Sequence, residues 1–333
     1  MPDIQEQVAE NRTTGRRLNG RFIDLPETAN RNLSFARNTI EVAVTAVEVY
    51  TRPLNNALVS GHPTGSNHGS GHGESGDQRG GWTLQQSTVN TEVFTRDGRN
   101  AVRDSLDGQT GGGFSLVVIG TGTGDAATGD TTLESKTGDT YTWGLKDAGN
   151  EVRARSGFRF AEDGLESADL TEVGIVDGTG RLISRATIPA VSTTEEEEVR
   201  VDVTLTVSGS GTGNSVVTND GEAAVADSIR ATGEVVGINE IAFGTGTTDP
   251  AKSDSSLAAE EFRKTALREL DNERIKARVA VTEVEPNTQP VDLTEIGVFD
   301  NSGTPRLLWR VTFDALEKDS GFGFEASASY RIV

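Results

Sequence analysis

The sequence predicts a mostly β protein. It reads as two tandem homologous small β-sandwich-like domains, each with one short helix, preceded by an N-terminal β-containing docking region. Three observations predict this. A nonapeptide, DLTEVGIVD at 169–177, returns as DLTEIGVFD at 292–300, with six of the nine positions identical. Several segments alternate apolar and polar residues with the period of a half-buried strand. Turn segments rich in Gly, Thr, Asp and Ser separate them.

The N-terminal region, residues 1–93, has no copy elsewhere. Its first 35 residues hold the only cationic cluster, Arg12, Arg16, Arg17 and Arg21. That cluster suits an arm docking on an acidic neighbour subunit, or equally an arginine-bearing surface helix. NTIEVAVTAVEVYTR, 38–52, alternates as a strand. Ile40, Val42 and Val44 share one phase and Val47 and Val49 the other, so a bulge is expected near Thr45-Ala46. Residues 60–81, SGHPTGSNHGSGHGESGDQRGG, are too polar and Gly-rich to pack and read as a long loop. WTLQQSTVNTEVF, 82–94, is a second strand candidate.

Two repeat domains follow, 94–208 and 217–333, joined by a Gly/Ser linker at 209–216. Five blocks carry the duplication in the same order. DGRNAVRDSL (97–106) answers DGEAAVADSI (220–229). IGTGTGD (119–125) answers FGTGTTD (243–249). DTTL (130–133) answers DSSL (254–257). The nonapeptide answers its copy, and RLISRAT (181–187) answers RLLWRVT (306–312). The first block predicts one short helix, opened by Asp97 as N-cap and carrying Ala101, Val102 and Leu106 at helical spacing. FSLVVIGTGTGD is a buried strand running into a Gly/Thr loop. VDVTLTV (201–207) and RIKARVAV (274–281) alternate as strands. The nonapeptide is a core strand entering a hairpin, with DGTGR or DNSGTPR as the connection. Leu170 and Val173, or Leu293 and Ile296, should point inward, and Glu172 and Glu295 are candidates to hydrogen-bond and hold the GTGT loop. SLAAEEFRKTALRELDNERIKARV (256–279) reads locally as a long helix, but its counterpart in the first repeat does not. The duplication therefore predicts a short helix near 255–262 and strands afterwards.

Composition narrows the class. At 333 residues the chain can bury a core and hold two or three domains. It has no cysteine, which excludes disulfides and thiolate metal sites. The N-terminus is polar, so no secretory signal is expected, and no apolar run approaches the ~18 residues of a membrane span. The net charge is −20. Lysine occurs at only six positions, so arginine supplies 25 of the 31 cations. An acidic, lysine-poor chain rich in Gly, Thr and Ala resembles the proteome of an extreme halophile, in which multimolar salt screens carboxylate repulsion. A field this negative excludes nucleic acid as the main partner.

The ordered blocks also carry a family resemblance. Gly120-Thr121-Gly122-Thr123 with Leu133-Glu134, Glu172-Val173-Gly174-Ile175 and Arg185-Ala186-Thr187 resemble the repeat domain of tail-collar and tail-fibre proteins of tailed viruses. So do Gly244-Thr245-Gly246-Thr247 with Leu257, Glu295-Ile296-Gly297-Val298 and Arg310-Val311-Thr312; Ala258 stands where the first copy has Glu134. The resemblance covers about 230 residues. With the salt-adapted composition, it implies a virion protein of a tailed virus infecting a haloarchaeon. Such a protein is a non-enzymatic tail-fibre or baseplate appendage, made in the host cytoplasm and assembled as a symmetric homo-oligomer with other virion proteins. It would touch the host surface layer or its glycans. A capsid turret or decoration protein at a symmetry axis, and a surface-glycan-binding module, are the alternatives.

Chemical sites are few. All three histidines, His62, His68 and His72, fall in the 60–81 loop, where Glu74 or Asp77 could complete a transition-metal set. A solvated loop is the simpler reading, and no cofactor is expected. VVIGTGTGD departs from the dinucleotide fingerprint: Asp125 takes the last glycine position, and no βαβ period follows. Glu195–Glu198 could hold Ca²⁺ or Mg²⁺ but reads as a solvated face. The aromatics open to sugar stacking are Trp82, Trp143, Trp309, Tyr50, Tyr141 and Tyr330. With no Cys, and no His outside the Gly-rich loop, nucleophilic catalysis has no well-placed base.

Overall fold

The computed structural model describes residues 32–53, 82–109, 113–146, 149–159, 165–211, 213–230, 237–271, 274–287, 289–321 and 323–333. The chain is mostly β, with eighteen strands and two helices among these residues. In order they are β1 (Asn32–Pro53), β2 (Thr83–Gln86), β3 (Thr91–Phe94), α1 (Arg96–Leu106), β4 (Phe114–Gly120), β5 (Lys136–Tyr141), β6 (Trp143–Lys146), β7 (Glu151–Arg159), β8 (Ala168–Asp177), β9 (Leu182–Thr193) and β10 (Glu197–Ser210). Then come β11 (Ser215–Val217), α2 (Asn219–Ile229), β12 (Ile238–Gly244), β13 (Glu260–Thr265), β14 (Leu267–Asp271), β15 (Arg274–Val281), β16 (Val291–Asp300), β17 (Leu307–Lys318) and β18 (Phe324–Ile332).

The chain divides into two compact units. One gathers Ser210–Thr218 and Ile238–Arg331 with the described residues from Asn32 to Asn38. Its five-stranded sheet has the order β11-β17-β16-β12-β13, and β15 lies between β14 and β18 in a second layer. All these pairings are antiparallel. Phe243 of β12 meets Phe324 of β18 edge-on at 5.6 Å and joins the two layers. Along β15 the buried residues are Ile275, Ala277, Val279 and Val281, so the predicted alternation is the core pattern.

The other unit gathers Thr39–Gly209, Asn219–Gly237 and Ile332–Val333. Its five-stranded sheet has the order β3-β9-β8-β4-β5, and its second layer runs β1-β10-β7-β6, with β2 pairing β1. Helix α1 rests on β9, and α1 and α2 pack against each other. The burial of β1 changes phase between Val44 and Val47, where the sequence alternation slips. When β3–β10 is laid on β11–β18, strand orders correspond position for position.

Three sequence expectations are corrected. Helix α1 exists, but its N-cap is Thr95, whose hydroxyl accepts from the Gly98 amide at 3.0 Å; Asp97 lies inside the first turn. The single strand expected over 82–94 is two, β2 and β3. The Gln86 side-chain carbonyl accepts from the Ser87 and Thr88 amides and turns the chain between them. No helix forms over 255–262. Leu257 is drawn into a cluster with Ala242, Phe299 and Leu307, and the Ala258 and Ala259 amides donate to Glu295 instead of to a helical carbonyl. Propensity there yields to tertiary partners.

Candidate functional site

The most ordered constellation of polar groups lies where β8 passes the loop after β4. Strand pairing sets Gly120 opposite Glu172. The Glu172 side chain is 0 % exposed and every approach to its carboxylate is filled. Oε1 accepts from the Gly122 amide (3.0 Å) and the Ser135 amide (2.7 Å). Oε2 accepts from the Glu134 amide (3.0 Å) and from Nε of Arg185 (3.0 Å), on the neighbouring strand β9. Arg185, 4 % exposed, carries the network outward. It donates to Asp130 Oδ2 (2.8 Å), to the Gly124 carbonyl (3.0 Å) and to the Asp125 carbonyl (3.3 Å). Thr171, beside the glutamate, donates to the Gly122 carbonyl at 2.8 Å.

This geometry explains the glycines of the GTGT loop. A Cβ on Gly122 would lie 2.5 Å from Glu172 Oε1, and one on Gly120 would lie 2.6 Å from the same oxygen. The loop backbone must approach a buried carboxylate more closely than any side chain allows. The expectation that Glu172 and Glu295 hold the GTGT loop is met in geometry at both positions.

The second constellation repeats the first. Glu295, also 0 % exposed, accepts from the amides of Gly246 (3.0 Å), Ala259 (2.7 Å) and Ala258 (3.1 Å) and from Nε of Arg310 (2.9 Å). Arg310 reaches Asp254 Oδ2 (2.7 Å) and the Thr248 carbonyl (3.0 Å). Thr294 donates to the Gly246 carbonyl at 2.9 Å. The departure seen in the sequence is compensated. Glu134 accepts from the Gly124 amide at 2.6 Å and lies 3.6 Å from Arg185. Where Ala258 replaces that glutamate, Thr248 replaces Gly124, and its hydroxyl meets Arg310 at 3.1 Å.

The final aspartate of each nonapeptide staples the hairpin that follows. Asp177 accepts from the Thr179 and Arg181 amides (both 2.9 Å) and from Arg181 Nε (2.8 Å). Asp300 accepts from the Ser302 amide (3.2 Å), the Arg306 amide (2.8 Å) and Arg306 Nε (2.7 Å). The apolar cores match too: Val118, Leu133 and Leu182 cluster in one sheet, Ala242, Leu257, Phe299 and Leu307 in the other.

The electrostatics are those of a lock. Burial works against the Asp130 carboxylate, but the Ala127 amide and the Arg185 guanidinium outweigh it and hold its pKa below the ordinary aspartate value. For Arg185 burial likewise opposes the charge, but the hydrogen bonds it donates to Asp130 and Glu172 outweigh burial and raise its pKa above the ordinary arginine value. A guanidinium tied in this way releases no proton, and the glutamate it meets has every near neighbour already donating. The arrangement fixes backbone; it offers no acid, base or nucleophile to a substrate.

The other candidates are dispersed. His62, His68, His72 and the Arg12–Arg21 cluster lie outside the described residues. Among the described residues no three His, Asp or Glu side chains gather as a metal set would require, and no helix is long and apolar enough to cross a membrane. In the Glu195–Glu198 run, Glu197 accepts from the Thr194 amide at 3.2 Å in the β9–β10 turn, and Glu198 pairs with Arg52 and Arg159. The GTGT loops lead into β5 and β13, not into a phosphate-binding helix. Trp309 and Tyr330 are core residues, 0 % and 2 % exposed, and are unavailable to sugars; Tyr141 is 79 % exposed. Arg185, Arg310, Asp130 and Asp254 were not singled out as site residues by sequence reasoning. Their recurrence in the same order around each glutamate is the signal, the arginines 13 and 15 residues after it.

No protein family, curated protein or solved structure matches the chain.

Proposed function

We propose that the chain is a non-enzymatic structural protein of a tailed-virus virion. In this reading it is a tail-fibre or baseplate appendage that assembles as a symmetric homo-oligomer with other virion proteins. Its scaffold is one β-sandwich-like unit written twice, β3–β10 and β11–β18, with the N-terminal region as the docking element. The observation that carries the reading is the paired clamp: Glu172–Arg185–Asp130 and Glu295–Arg310–Asp254 take up their own hydrogen-bonding capacity in holding loops to strands. Such an arrangement suits a rigid building block. The ordered motif resemblance supports placing that block on a virion, and the −20 charge supports a haloarchaeal host.

The test is gold-labelled antibody against the purified chain, applied to intact particles in multimolar salt. Label at the tail tip or fibres is the expected result. Label confined to capsid vertices would assign the chain to a turret instead, and absence of the chain from purified particles would overturn the reading.

A further inference from the structure

The two repeats agree in their clamps and differ in charge at two places. The first place is α1. Its first turn carries Arg96 and Arg99, three residues apart and so on one face of the helix. Arg96 is exposed and Arg99 half-buried. Neither side chain pairs with an acid among the described residues, and Nε of Arg99 is buried without an acceptor. Cations in a first turn also oppose the helix dipole. The matching helix avoids this. In α2 these positions are Asn219 and Glu222, and Glu222 is buried and accepts from the Gly209 amide at 2.8 Å.

The second place is the turn between β9 and β10. The Glu197 amide donates to the Thr194 carbonyl at 3.2 Å, so Glu195 and Glu196 are the central residues of a tight turn. Both are exposed, and neither has a partner among the described residues. Adjacent glutamates repel each other and lack the Gly, Asn or Asp chemistry that such turns favour. The matching turn has that chemistry. The β8–β9 and β16–β17 registers set Thr193 against Lys318. Asp319-Ser320-Gly321 follows, with Asp319 accepting from the Gly321 amide at 2.8 Å. A feature needed for folding would recur in both repeats, as the clamps do. The unpaired arginines and the unpaired glutamates occur together in one repeat and are missing together from the other.

The two features do not meet within one chain. Thr95, just before α1, is tied to the Leu182 and Ile183 carbonyls at the start of β9, and Asp104 to Arg181 in the turn before it. The glutamate turn follows the other end of β9. On β8, which runs alongside, these two ends lie opposite Val176 and Ala168, about 25 Å apart along the strand. No side chain spans that gap. We propose that the Glu195–Glu196 turn of one chain docks on the Arg96–Arg99 face of α1 in a second copy of the chain. The contact is head-to-tail, so it repeats from chain to chain and closes into a ring where the rotation allows. Guanidinium against carboxylate makes short, planar, charge-assisted hydrogen bonds. At contact distance a partly buried pair is screened far less than a long-range field. Two surface ion pairs add little affinity. Their role is to choose which surfaces meet and in which direction. This inference names the contact surfaces of the self-assembly proposed above and rests on that reading.

The test uses the full chain in multimolar salt. The chain has no cysteine, so a pair can be introduced cleanly. Arg99→Cys combined with Glu196→Cys, oxidised with diamide, should give disulfide-linked multimers whose peptide map shows a 99–196 bond between chains. Each single-cysteine variant should run as a monomer on a denaturing gel. Charge reversal is the second measurement. Arg96→Glu with Arg99→Glu, and Glu195→Arg with Glu196→Arg, should each weaken self-association at least tenfold by sedimentation equilibrium. The chain carrying all four substitutions should recover most of it, which separates a lost contact from a misfolded variant. Absence of the 99–196 bond, unchanged association in both reversed variants, no recovery in the fourfold variant, or a native chain that stays monomeric would overturn the contact. Particle labelling is independent of all these outcomes, so the appendage reading and this contact fail separately.

Discussion

Glu172 shows how one residue can dictate a motif. Its buried carboxylate needs donors on every side, and the chain supplies three backbone amides and one guanidinium. Glu172→Gln or Glu295→Gln keeps the shape, places an amide group against N–H donors and leaves Arg185 or Arg310 buried beside a neutral partner. Breaking a buried pair from one side costs about 3–5 kcal/mol. Thermal melting should show that loss in each single variant, and an unchanged midpoint would remove the clamp. Gly122→Ala and Gly246→Ala push a methyl against the same carboxylates and should cost about 1–3 kcal/mol as overpacking. Gly178→Ala, where a Cβ meets nothing within 4 Å, is the control and should be near neutral. Asp130 adds a pH signature. Its folded pKa lies below the unfolded value, so its contribution to stability is complete above the unfolded pKa and is lost as pH falls through the folded one. Denaturant titrations below about pH 4 should show stability falling with a steeper slope in the native chain than in Asp130→Asn. The glutamates and glycines were legible because the chain writes them twice. Arg185 was legible only as part of a repeated string, since nothing local to RAT says that its guanidinium reaches across a strand.

Elements whose burial follows a simple period were readable directly. β10 and β15 sit where alternation places them, whereas the nonapeptide strands β8 and β16 are buried in near-continuous runs and are placed by the turn residues that follow them. The segment 256–279 misled because its local signal is helical while its partners are not: Glu295 takes the Ala258 and Ala259 amides before a helix can. The helix cap misled in the same way. Both Thr95 and Asp97 are capping residues by type, and only the structure shows that Thr95 also bonds backward. Its amide donates to the Ile183 carbonyl at 3.0 Å and its hydroxyl to the Leu182 and Ile183 carbonyls, which ties α1 to β9. Thr218 makes the matching bonds to the Leu308 and Leu307 carbonyls. Thr95→Ala should therefore cost more than a cap alone, above the typical ~1 kcal/mol, whereas Asp97→Ala should cost a few tenths. Urea unfolding of the two variants separates these cases, and equal costs would mean that the cap is shared.

For the molecule as a whole, the proposed duplication accounts for the same nonapeptide appearing twice. Leu170 fills core, Thr171 ties the loop carbonyl, Glu172 clamps the loop amides, Gly174 admits Leu133 and Leu182, and Asp177 staples the turn. Each position has its own task, and the copy keeps them all. Charge belongs to this scale too. At −20 the chain repels its own copies in dilute buffer, and screening to a few ångströms in multimolar salt removes that barrier to assembly. The most direct test of the proposed assembly is the absolute mass of the purified full-length chain in multimolar salt, by light scattering after size exclusion. A trimer or a multiple of three, the symmetry of a tail appendage, is the predicted result. A monomer that persists as concentration is raised would contradict the account of a self-assembling virion protein.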